Sequence, residues 1–146
     1  MGSTWAHLLV VHVPVLLSPV AFFFLIRAFR STTDSDFKIA HGFVLICAIA
    51  SVVAYFTGGT AAEWLAEKID LDPELLESHG LWGRIAFTIM SLAGVASLVA
   101  VIAYMQGERP QPLLPRIVLG LIVLGFFSLA WAAHLGGILR RPELGF

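Results

Sequence analysis

Four apolar runs, each about the length that crosses a bilayer, alternate with short polar segments along this chain. A helix needs roughly 20 predominantly apolar residues to cross a hydrocarbon core of about 30 Å. The runs lie at about 5–29, 38–62, 80–105 and 113–139. Charged residues bracket them. Arg27 and Arg30 close the first, Lys38 and Glu63 flank the second, Arg84 stands early in the third, and Arg116 and Arg140 bound the fourth. Backbone polar groups in hydrocarbon must be satisfied within a helix or a closed barrel, and the alternation of barrel strands is absent, so the runs are predicted helices. The pattern predicts an all-α integral membrane protein, a single domain over 1–146 built as an antiparallel four-helix transmembrane bundle. The residue identities show no convincing internal repeat, though four spans can conceal a helical-hairpin duplication.

The connections set the expected topology. Residues 31–37 and 106–115 are short and place neighbouring spans antiparallel, up-down-up-down. The middle connection, about 63–79, is longer and acidic, with Glu63, Glu67, Asp70, Asp72, Glu74 and Glu77 against Lys68. Trp64, Leu65, Ile69, Leu71, Leu75 and Leu76 are interspersed there, which predicts a short amphipathic interfacial helix between spans two and three. Asp72-Pro73 reads as an N-cap followed by proline at the first helical position. Both termini share this end, the near end, with all four tryptophans (Trp5, Trp64, Trp82 and Trp131), as an interfacial belt requires. The far end carries Arg27, Arg30, Lys38, Arg109 and Arg116, so the positive-inside rule turns it to the cytoplasm. The near end is then expected outside, periplasmic if the membrane is a bacterial inner membrane.

Composition agrees: 58% of the 146 residues are hydrophobic and 13% charged, with mean hydropathy +0.88. Soluble domains are about half apolar and about a quarter charged. The net charge of -1 offers no general attraction for nucleic acid. The single Cys47 rules out an internal disulfide, a thiolate zinc knuckle and CxxCH haem attachment. The first apolar run is too long for a signal peptide and lacks a basic leader, so it is expected to remain as a span.

The candidate chemistry lies in the histidines. Four of the five, His7, His12, His79 and His134, fall toward the near end. An ionisable residue within a membrane reads first as functional. Counting about 1.5 Å per residue, His12 and His134 lie at similar depth, with His7 and His79 roughly one to two turns shallower. The deeper pair is the expected bis-histidine couple for a b-type haem. Arg84 and Arg140 are candidates for the propionates, and Gly58, Gly59, Gly136 and Gly137 would leave room for a flat macrocycle. His7 and His79 are expected as a second ligand pair or as groups beside the cofactor. An alternative is direct binding of copper, zinc or iron by His7, His12, His79 and His134, with Glu63. His7 and His12 stand about 140° apart around a helix, which counts against one compact four-histidine site. His41, at the far end, is expected to be structural. No nucleophile elbow or phosphate loop is present, so an electron carrier or complex subunit is favoured over a stand-alone enzyme.

Several segments together are similar to one family. His7 with His12-Val13-Pro14, Thr57-Gly58-Gly59 with Ala62-Glu63, Glu77-Ser78-His79-Gly80 and His134-Leu135-Gly136-Gly137 resemble the four-span membrane domain family catalogued as domain of unknown function 2231. Members often open with His-Pro, where this chain has Leu8 after His7. Domains of that family occur fused to cytochrome c or Rieske-type modules, so the resemblance implies redox work at a membrane. The functional expectation is a haem-binding electron-transfer protein or subunit of a redox complex, contacting lipid and a redox partner at the histidine-bearing end. Assembly into a larger complex or homo-oligomer is the further partner class. A non-haem metal protein for transport or sensing, and a structural accessory subunit, are the alternatives.

Overall fold

The computed structural model describes residues 2–141. Among them 88% of the chain is helical and no strand occurs. Five helices follow in order: α1 (Gly2–Val10), α2 (His12–Ser31), α3 (Asp34–Ala66), α4 (Pro73–Met105) and α5 (Leu113–Arg140). α1 and α2 together make the first of four helical stretches long and apolar enough to cross a membrane; α3, α4 and α5 are the others.

The expected boundaries shift in two places. α3 and α4 run 33 residues each, about 50 Å of helix and more than the hydrocarbon core requires. They absorb most of the segment expected to form a separate interfacial helix, leaving only 67–72 as connection. Asp72 caps α4 as its sequence predicts, accepting from the N–H groups of Glu74 at 2.9 Å and Leu75 at 3.3 Å. The first span is interrupted at Val11. Pro14 explains the break, because its ring has no N–H for the carbonyl of Val10 and collides with it.

Packing is inverted relative to a soluble bundle. Phe23, Phe56, Phe127, Leu9, Leu16 and Leu124 are all more than half exposed. Small residues make up much of the interior: Ala21, Ala28, Ala40, Ala93, Ala100, Ser18 and Ser97 are fully buried, beside the larger Leu25, Val44, Met90 and Ile122. Lipid tails are as apolar as leucine, so membrane helices gain from close backbone approach and not from hiding large side chains. A Cβ on Gly94 of α4 would stand 2.5 Å from the Cβ of Ala48 on α3, so that crossing requires glycine.

The buried positions repeat. All five buried residues of α2 (Pro14, Ser18, Ala21, Leu25, Ala28) recur as buried residues of α4 72 positions on (Ala86, Met90, Ala93, Ser97, Ala100). Ala40, Val44, Cys47, Ala50 and Ser51 of α3 recur in α5 78 positions on, as Val118, Ile122, Gly125, Ser128 and Leu129. The hairpin α1–α3 and the hairpin α4–α5 thus share one register of burial, a relation that the residue identities conceal.

The ends are distinct. At the far end Arg109 of the α4–α5 connection pairs with Asp34 at the start of α3 at 2.9 Å, and Arg27 pairs with Asp36 at 3.1 Å. The two short connections therefore meet. At the near end the start of α1, the α3–α4 connection and the end of α5 surround a cavity of about 380 Å³.

Candidate functional site

Two histidines face into that cavity from corresponding places in the two hairpins. His7 on α1 donates from Nδ1 to the carbonyl of Ala54 on α3 at 2.9 Å, with the Thr57 hydroxyl 3.3 Å away. His79 on α4 donates from Nδ1 to the carbonyl of Ala132 on α5, also at 2.9 Å. A carbonyl oxygen only accepts, so the proton sits on Nδ1 in each ring and Nε2 keeps its lone pair. This is the tautomer in which a histidine ligates a metal, with its outer nitrogen held by a second group.

Glycine makes both hydrogen bonds accessible. The acceptor carbonyls belong to residues 54 and 132, and the residues four positions on, whose side chains would stand over those carbonyls, are Gly58 and Gly136. A Cβ at Gly58 would touch His7 Cε1 at 3.4 Å, and one at Gly136 would press on His79 Cε1 at 2.9 Å. His7 with His79 spans 72 positions, and Ala54 with Ala132 and Gly58 with Gly136 span 78, the same relation as the buried register.

The two rings are half-buried and line the same cavity. The rest of the wall is mainly apolar, and Arg140 is its one charged side chain among the described residues.

The other expected site residues divide. His12 is on the cavity wall but exposed, its Nδ1 donating to the carbonyl of Leu8 at 2.7 Å. His134 is not on the wall: it is exposed on the outer face of α5 against Trp131, ring centroids 5.5 Å apart. The inward stripe of that helix is Ser128, Leu129, Ala132, Leu135 and Leu139. Position 134 is two residues from Ala132, about 200° around the helix, so the expected pairing of His12 with His134 across the bundle is not the arrangement formed. Arg84 and Glu63 are exposed and off the cavity, whereas Arg140 stands at its mouth. His41 is far from this end, fully buried, with Nδ1 3.0 Å from the Ser97 hydroxyl. Among the described residues no three histidine, cysteine or acidic side chains converge as a metal site. The four-histidine ion site with Glu63 is therefore not assembled.

Depth along a straight span placed His12 opposite His134 because the break at Val11 and the facing of α5 are invisible to residue counting. The signal that could have selected His7 and His79 was the pair of glycine doublets, Gly58-Gly59 and Gly136-Gly137, one for each histidine.

The chain matches no family model, no curated protein and no solved structure.

Proposed function

We propose that this protein is a b-type haem-binding electron carrier, or the haem-bearing subunit of a membrane redox complex, in which His7 and His79 would hold the haem iron. The supporting observation is the matched pair of imidazoles on one cavity, each with Nδ1–H held by a backbone carbonyl and Nε2 left to ligate. A haem brings four nitrogens of its own, so two histidines complete its ligand set, whereas a bare ion needs more donors than this cavity gathers. The cavity volume falls in the usual range for cofactor sites, about 300–1,000 Å³. When bound, haem supplies one-electron chemistry.

The protein's residues do the rest. The carbonyls of Ala54 and Ala132 orient the rings and raise their basicity as ligands. Gly58 and Gly136 give the rings space. Arg140 at the mouth meets carboxylate charge, and the apolar wall excludes water. In this reading the spans form an antiparallel bundle in a bacterial inner membrane, with the near end periplasmic. A basic redox partner docks on the exposed acidic groups Asp70, Asp72, Glu74 and Glu77, so that association weakens with added salt. Membership of the domain of unknown function 2231 family belongs to the same proposal, on the motifs quoted above.

The test is the visible spectrum of the purified protein, oxidised and reduced, with haem supplied during expression. A low-spin b-type spectrum is expected. It should be lost or converted to a five-coordinate form in His7→Ala and in His79→Ala, recover with added imidazole, and survive His134→Ala and His41→Ala. A colourless wild-type protein ends the proposal.

A further inference from the structure

The two hairpins share a register, so the places where they differ show where the cavity loses its symmetry. On the side formed by α3 and α4, Tyr55 and Phe87 stack with ring centroids 4.5 Å apart and planes 15° from parallel. Phe56 packs edge-on against both. Tyr55 and Phe87 both line the cavity, so this stack covers that seam.

The corresponding positions are Ala133, 78 residues after Tyr55, and Val15, 72 residues before Phe87. They too line the cavity, on α5 and α2, but they carry no ring. Beside them Leu16, His12 and Gly137 line the cavity and are exposed, Leu16 at 67% against 38% for Tyr55 at the other seam. Helix packing agrees: α2 and α5 meet less extensively than α3 and α4, and α1, freed by the break at Val11, packs on α3. One seam is covered by a phenol on a phenyl ring, and its counterpart carries no ring.

The seam without a ring also holds a hydrogen-bond acceptor. The Nδ1–H of His12 is used by the carbonyl of Leu8, so its Nε2 lone pair is free for a donor, in apolar surroundings where a donor is worth most. An acyl chain has no such donor. The occupant that the opposite seam already models from its own chain is a hydroxylated aromatic ring, Tyr55.

We propose that the α2/α5 seam is a lateral portal in which a hydroxylated aromatic molecule dissolved in the bilayer, of the quinol class, lodges at the edge of the cavity beside Val15 and Ala133 and donates its hydroxyl proton to His12 Nε2 in a hydrogen bond. The portal rests on the asymmetry of the two seams and not on the haem reading.

The test is a titration of the protein in lipid nanodiscs with a short-chain ubiquinol, followed by quenching of tryptophan fluorescence, Trp5 being on the cavity wall. Saturable binding is expected. Rebuilding the missing stack with Val15→Phe and Ala133→Tyr should weaken it by tenfold or more. His12→Leu, which removes the acceptor, should weaken it by about tenfold. Leu124→Ala, on the exposed face of α5 and off the cavity wall, should not weaken it. Helical circular dichroism reports whether each variant is folded; if the rebuilt seam is not, His12→Leu decides. Wild-type affinity in folded His12→Leu, absence of saturable binding, or equal displacement by decanol would each overturn the proposal. The titration is run with and without haem loading: a colourless protein that binds the quinol ends the haem reading and leaves the portal standing.

Discussion

Alanine at the two equivalent glycines should have effects of opposite sign. An ideal Cβ on Gly136 lies 2.9 Å from Cε1 and 3.3 Å from Nδ1 of His79, where ordinary contact begins at 3.4 Å. The ring must retreat by about half an ångström, and it is tied to Ala132 by a 2.9 Å hydrogen bond. Losing that bond costs roughly 0.5–1.5 kcal/mol, and crowding a packed site costs roughly 1–3 kcal/mol. Alanine returns about 1 kcal/mol through its better helix propensity. Gly136→Ala is therefore expected to destabilise by about 0.5–3.5 kcal/mol, a fall in Tm of about 2–10 °C for a chain of this size. At Gly58 the same Cβ meets His7 Cε1 at 3.4 Å, an ordinary contact. Propensity then dominates, and Gly58→Ala should be neutral or stabilising by up to about 1 kcal/mol. Thermal unfolding of both variants in one detergent, followed by circular dichroism, measures the difference. Adding His79→Ala to Gly136→Ala removes the collision and should make the glycine substitution harmless. A Gly136→Ala protein as stable as wild type, or a penalty unchanged by His79→Ala, would refute the clash as the cause.

Three further expectations use other parts of the bundle. Gly94→Ala should destabilise by about 1–3 kcal/mol, because its Cβ would press on Ala48 across α3 and α4; a Tm equal to wild type would contradict that crossing. Ser97→Ala removes the one partner of the buried His41 Nδ1 and should cost about 1–3 kcal/mol, while Ser97→Ala with His41→Leu should recover most of it; additive losses in the double variant would speak against the pair. Arg109→Ala breaks an exposed pair with Asp34 and should change stability by under about 1 kcal/mol, so a large fall in Tm would mean that this end depends on the ion pair far more than its exposure allows.

The division between what was legible in the chain and what was not follows from the range of the forces involved. Four helices able to cross a membrane, their connections and the Asp72-Pro73 cap are local or nearly local: hydrophobic length, charge brackets and turn chemistry act within a few residues. The glycine doublets and the clustering of histidines toward one end were equally visible. The choice of His7 with His79 was not, because it depends on a break at Val11 that moves α1 onto α3 and on the rotation of α5 that turns Ala132 inward and His134 outward. The hairpin relation was hidden for a similar reason. Burial in a membrane bundle selects for small size and close approach, so Leu25 can stand where the second hairpin has Ser97, and Ser18 where it has Met90. Periodicity told which stretches are helices. Only the packing of one helix on another determined which face of each one lines the cavity, and which of two equivalent seams carries the aromatic stack.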